Sequence, residues 1–222
     1  MITSPNPSRK EIQTGAVFLV LWLFILPSLF GSLPFPSGIR NFLYYLVSFL
    51  SVLLIFRRYL LGALQTFCRH PLRGIGCAAA GFALNFAAVQ LLTALFSAIC
   101  PGFSNQNDQS VLYPLQEAPV LMTFGVTVRV PVAEETLFRG LIFRTLYDRS
   151  PAAACLISIA AFSLIHVMGY IGKADTVMLL LSFVQYLPAG LCLCLVYRYS
   201  GTLLSSIVLH AAINAAAILT MR

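Results

Sequence analysis

Apolar runs long enough to cross a membrane follow one another along this chain with only short polar connections. They span roughly residues 15–33, 42–57, 75–99, 118–147, 152–170, 177–197 and 202–221. A bilayer core of about 30 Å takes about 20 helical residues to cross. The pattern predicts an all-α fold: a polytopic transmembrane helix bundle of about seven helices, forming one domain over residues 1–222. The segment Arg57–Arg73 mixes arginines with apolar residues and reads as a short interfacial helix. The longest polar connection, Pro101–Glu117 ("PGFSNQNDQSVLYPLQE"), reads as an extracytoplasmic loop, with a lid as the alternative. The first apolar run follows Arg9 and Lys10 but is longer than the apolar part of a secretory signal, and no small-x-small cleavage site follows it, so a retained helix is expected.

Composition agrees with this pattern. The chain is 59% hydrophobic and only 9% charged, with a mean hydropathy of +0.88, whereas soluble domains carry about 25% charged residues. Arg9, Lys10, Arg57, Arg58, Arg69, Arg73, Arg144, Arg149 and Arg198 fall on one side of the predicted spans, and only Arg40, Lys173 and Arg222 on the other. Positively charged loops stay in the cytoplasm, so a cytoplasmic N-terminus is expected, in a bacterial inner membrane if the short chain is a bacterial protein. The net charge of +7 is then a topology signal and a match to anionic lipid, and no basic–aromatic pattern suggests nucleic acid. Most of the six cysteines sit in or beside apolar runs and read as small hydrophobes.

Ionisable side chains inside apolar spans are unfavourable unless paired or hydrated, and each is therefore a candidate for chemistry. The fourth run contains Arg129, Glu134, Glu135 and Arg139; the fifth contains His166; the seventh contains His210, with Asn214 one turn later. Glu135 and Arg139 are spaced i,i+4 with the acid first, so they can pair along one helix face. Glu134 points about 100° away and is left to face a cavity, as a general base would. Phe162 with His166 and His210 with Asn214 repeat the i,i+4 spacing. Two imidazoles, a carboxamide and a free carboxylate from three helices can thus converge.

Several hydrolytic sites are excluded. The three histidines are followed by Pro71, Val167 and Ala211, so no HExxH zinc motif exists. GxSxG is absent, and no aspartate lies in an apolar run to build an aspartyl dyad. A transporter would more often carry strings of acids or broken, repeated helices.

The quoted residues resemble a known family. "EETLFR" (Glu134, Glu135, Arg139) fits EExxxR, "FSLIH" (Phe162, His166) fits FxxxH and "HAAIN" (His210, Asn214) fits HxxxN. Their order and helix placement are similar to those of the CAAX-protease and bacteriocin-processing (Abi) family of intramembrane proteases. Pro131 and Gly140 frame the first motif as in that family. The resemblance covers the C-terminal half, 118–222, as the catalytic half. It implies that Glu134 and His166 hold and activate a water, and that His210 and Asn214 stabilise the oxyanion formed at a peptide carbonyl. Glu135, Arg139 and Phe162 would give structural support. Arg129 lies outside the motifs; snorkelling, cavity lining and binding of a substrate carboxylate are all open to it. The family has been described both as glutamate-type proteases and as metalloproteases. A metal-free site with no cofactor is expected, with Zn²⁺ on Glu134, His166 and His210 as the alternative. The implied partners are the lipid bilayer and a peptide or membrane-anchored protein substrate, of CAAX, C-terminal tail or bacteriocin type. A catalytically silent scaffold or immunity protein is the rival reading.

Overall fold

A computed structural model describes residues 2–220, and all of their regular structure is helical. Met221 and Arg222, used above for the last span and for the charge count, lie outside the described residues. The helices are α1 (Arg9–Phe24), α2 (Leu26–Gly31), α3 (Ser37–Ile55), α4 (Arg57–Arg69), α5 (Pro71–Ile99), α6 (Gln106–Glu117), α7 (119–147), α8 (Pro151–Ile165), α9 (Thr176–Ser200) and α10 (Leu203–Thr220). α3, α5, α9 and α10 are each long and apolar enough to cross a membrane. With the remaining apolar helices they make the chain an all-α, multi-pass membrane protein, because in hydrocarbon a helix satisfies its own backbone.

Each of the seven predicted runs is helical, and the departures have local causes. The first run breaks at Ile25, where Pro27 has no N–H for the carbonyl one turn back. The fourth run, α7, alternates between α and π turns, with π geometry over Gly125–Arg129 and Thr136–Phe143. Most of the predicted 101–117 loop is helix α6, started by Asn105, whose side chain accepts from the N–H groups of Asn107 and Asp108.

One end of the bundle is fastened by buried polar contacts. Ser8 and Glu11 form a capping box at the start of α1, and the second carboxylate oxygen of Glu11 accepts from Tyr59 N at 3.1 Å. One acid thus caps two helices. The N–H groups of Thr3 and Ser4 donate to Gly201 O at 3.0 and 2.9 Å. Gly201 ends α9 with φ +84°, a left-handed conformation that glycine adopts without steric cost. Arg73 bonds the carbonyl of Tyr199 through Nε at 3.1 Å. At Gly140 a Cβ would lie 2.7 Å from Tyr59 Cε1, so the missing side chain lets the Tyr59 ring lie against α7. Tyr59 Oη in turn bonds Tyr197 Oη at 2.9 Å.

At the other end, Glu117, the last residue of α6, binds the start of α3. Its carboxylate accepts from Ser37 Oγ and Gly38 N, both at 2.7 Å. The Gly38 N–H, the Ser37 hydroxyl and nearby Arg40 hold its pKa below the usual 4.5. A depressed carboxylate stabilises the fold above its unfolded pKa and loses that effect as pH falls through the folded value. Glu117→Gln is therefore expected to lower the melting temperature in detergent at pH 7. The difference from the native protein should shrink below pH 4.5 and vanish once both side chains are neutral; a shift independent of pH would refute this.

Candidate active site

The site begins with a carboxylate that never meets solvent. Glu135 and Arg139 are both 0% exposed and pair at 3.0 Å between Oε1 and Nη1. The same Oε1 accepts from His210 Nδ1 at 2.9 Å, and Oε2 accepts from the hydroxyl of Ser206. Arg139 Nη2 donates to Gly190 O at 3.1 Å on α9. One carboxylate thus joins α7 to α10, and its arginine joins α7 to α9. A charge that far from water persists only when paired and hydrogen-bonded.

Glu134, one residue earlier, faces a different space. It lines a cavity of about 860 Å³, which Glu135 does not. Its Oε2 lies 4.0 Å from His166 Nε2 and 3.9 Å from His210 Nε2. That oxygen is buried and has no hydrogen-bond partner within the protein. Asn214 and both histidines line the same cavity.

The histidine tautomers follow from their neighbours. His166 caps the C-terminus of α8, and its Nδ1 lies 2.7 Å from Phe162 O. A carbonyl only accepts, so Nδ1 carries the proton and Nε2 presents a lone pair toward Glu134. His210 Nδ1 likewise donates to Glu135. Its Nε2 can donate only when the ring is an imidazolium.

Phe162 separates these groups. Its ring lies under the Arg139 guanidinium at 4.4 Å and against the rings of His166 and His210 at 4.7 and 5.5 Å. Arg129 contributes elsewhere: its guanidinium stacks over Phe42 and Phe124 at 4.2 and 4.9 Å and is not part of the cavity wall.

Asn214 has a local reason for its place. In the π turn of α7, the N–H of Val130 bonds Gly125 O, five residues back. The next residue, Pro131, has no N–H for Val126 O. Asn214 Nδ2 takes that carbonyl at 2.9 Å, which leaves its second N–H free. Ser206, His210 and Asn214 recur every four residues and so share one stripe of α10.

The first half of the chain, where the sequence offered no motif, supplies much of the cavity wall. Tyr44 and Tyr45 of α3, Asn85 of α5 and Asn107 and Asp108 of α6 all line it, and so does Tyr186 of α9. Burial raises the pKa of Asp108 in α6, opposed by a hydrogen bond from Tyr186. Asn85 and Gln90 are polar interruptions of an apolar helix, the signal that could have marked α5 as cavity-lining.

Two imidazole nitrogens, a carboxylate and a carboxamide on a largely apolar cavity wall are groups of the kind that can activate water and stabilise developing negative charge. No curated protein and no solved structure matches the chain. Residues 116–216 match the family model described as type II CAAX prenyl endopeptidase Rce1-like. The segment that carries Glu134, His166, His210 and Asn214 therefore belongs to the CAAX protease family, whose members hydrolyse peptide bonds.

Proposed function

We propose that this protein is an intramembrane endopeptidase that cleaves an apolar, membrane-associated peptide or C-terminal tail with a water activated by Glu134. The observation that carries this reading is the approach of His166 Nε2 and His210 Nε2 to within 4.0 Å of Glu134 Oε2 on the cavity wall. Water donates to Glu134 and to the lone pair of His166 Nε2, which fixes its orientation. Glu134 takes a proton as the water oxygen bonds to the scissile carbonyl carbon. His210 Nε2–H and the free N–H of Asn214 receive the developing oxyanion. Glu134 then passes its proton to the leaving nitrogen as the C–N bond breaks, which closes the proton balance. Glu135, itself held by Arg139, keeps His210 oriented.

Zinc is the second reading. Glu134, His166 and His210 are suitable donors, and both Nδ1 atoms are engaged, as in metal sites whose ligands are braced from behind. Bound there, zinc would supply a Lewis acid and an acidic water. The spacing favours the metal-free reading. Ligand atoms around tetrahedral zinc lie roughly 3.3–3.5 Å apart, given bonds of about 2.0–2.2 Å. The observed 3.9 and 4.0 Å lie nearer the roughly 4.0–4.6 Å at which one water spans two partners at about 2.8 Å.

The segregation of charge supports a cytoplasmic N-terminus. Arg73 binds the end of α9, and Thr3 and Ser4 bind the turn that follows it, so the basic segments gather at one end of the bundle.

The test is cleavage of membrane-tail and CAAX-like peptides by the purified protein. Glu134→Gln is expected to lower kcat by about 10²–10⁴-fold, the range for a general base, without lowering the melting temperature. Activity should survive complete chelation; loss on chelation with recovery on adding zinc would establish the second reading, and native activity in Glu134→Gln would overturn both. Asn214→Ala should lower kcat by about 10²–10³-fold, as for a lost oxyanion donor. Arg139→Met should instead act on folding, lowering stability by about 3–5 kcal/mol because it leaves Glu135 buried without its cation. Chemical denaturation would measure that loss.

A further inference from the structure

His166 lies just where α8 ends, and the chain beyond it leaves the helix. Its hydrogen bond to Phe162 O fixes one ring atom, and Phe162 supports one side of the ring. A second support comes from Tyr186, whose ring stacks on the imidazole at 4.1 Å between centroids and 24° between planes. Tyr186 belongs to α9 and is itself fastened at its far end. Its hydroxyl accepts from Asn107 Nδ2 at 3.0 Å and lies 3.2 Å from Asp108 Oδ1, to which it donates. The neighbouring Gln185 accepts from Asn105 Nδ2 at 2.8 Å and donates to Thr93 Oγ1 on α5 at 2.9 Å. The first turn of α6 is thereby tied to α9 and, through Gln185, to α5.

We propose that Tyr186 is a positioning residue for His166, and that the strap at residues 105–108 sets the height and tilt of the Tyr186 ring through its hydroxyl. Neither Tyr186 nor the strap belongs to the three motifs. The inference rests on the role proposed above for His166. It extends that role by making the α6 turn part of the alignment: the strap orders the tyrosine, the tyrosine orders the imidazole, and the imidazole orients the water. Misplacement by about 1 Å far from the reacting atoms can lower a rate by about 10²-fold, and a stacked ring on an otherwise terminal histidine prevents such a shift.

The experiment compares Tyr186→Leu, Tyr186→Phe and Asn107→Ala with the native protein and with Glu134→Gln. Two readouts are used: kcat and KM on a peptide that the native protein cleaves, and carbethoxylation of His166 by diethyl pyrocarbonate, followed by mass spectrometry. Tyr186→Leu should lower kcat by about 10²-fold with KM little changed, and should speed modification of His166 several-fold while His210 reacts as before. Tyr186→Phe retains the stack and should rescue most of the activity. Its residual loss should be at least that of Asn107→Ala, which removes one of the two hydroxyl contacts, and should not deepen when the two are combined. Native kcat or unaltered His166 modification in folded Tyr186→Leu would overturn the proposal, and so would a loss confined to KM. Full activity in Glu134→Gln would instead sink the proposed function, leaving the modification readout to judge the stack alone.

Discussion

A single carboxylate, that of Glu135, is the point on which the C-terminal helices are assembled. It is 0% exposed and receives donors from Arg139, His210 and Ser206. Taking it from water is tolerated only because every donor is present, so the contacts stand or fall together. The consequence for chemistry is direct. Fixing His210 Nδ1 aims Nε2 at the cavity, and fixing Arg139 on Gly190 O seats Phe162 between the two imidazoles. Two adjacent glutamates thus have unlike surroundings, one saturated with donors and one facing open space.

The irregular backbone of α7 serves the same arrangement. π turns recur at functional sites because they shift side chains out of the ordinary helical register and release carbonyls. Here Asn214 takes Val126 O, which Pro131 leaves without a donor, and Ser158 Oγ bonds Phe138 O within the second π stretch at 3.1 Å. A proline inside an apolar helix is tolerated when a neighbouring side chain meets the orphaned carbonyl. Pro131 and Asn214 are therefore two halves of one local solution, although they are far apart in sequence.

The cavity requires the whole bundle. Matched residues 116–216 provide one wall, while α3, α5 and α6 provide the aromatic and amide groups opposite. A low-polarity enclosure strengthens each hydrogen bond made inside it. The α6 end of the cavity is fastened by side-chain amides and a tyrosine hydroxyl. These bonds are individually modest, so such a strap can hold geometry without locking the cavity.

The sequence by itself determined the helices and their faces. Backbone groups in hydrocarbon must be satisfied within each span, so apolar run length marks a helix without reference to any partner. The fixed helical period likewise puts Ser206, His210 and Asn214 on one stripe and brings Glu135 to Arg139. Tertiary packing decided the rest. Whether stripes on α7, α8 and α10 meet depends on crossing angles and on close approach at small residues such as Gly140, none of which is encoded in one helix's period. The π turns escaped the sequence because the carbonyl left without a donor at Pro131 is met by Asn214 on another helix. Tyr186 escaped it because an aromatic residue in an apolar span is unremarkable until a particular histidine lies 4.1 Å from its ring.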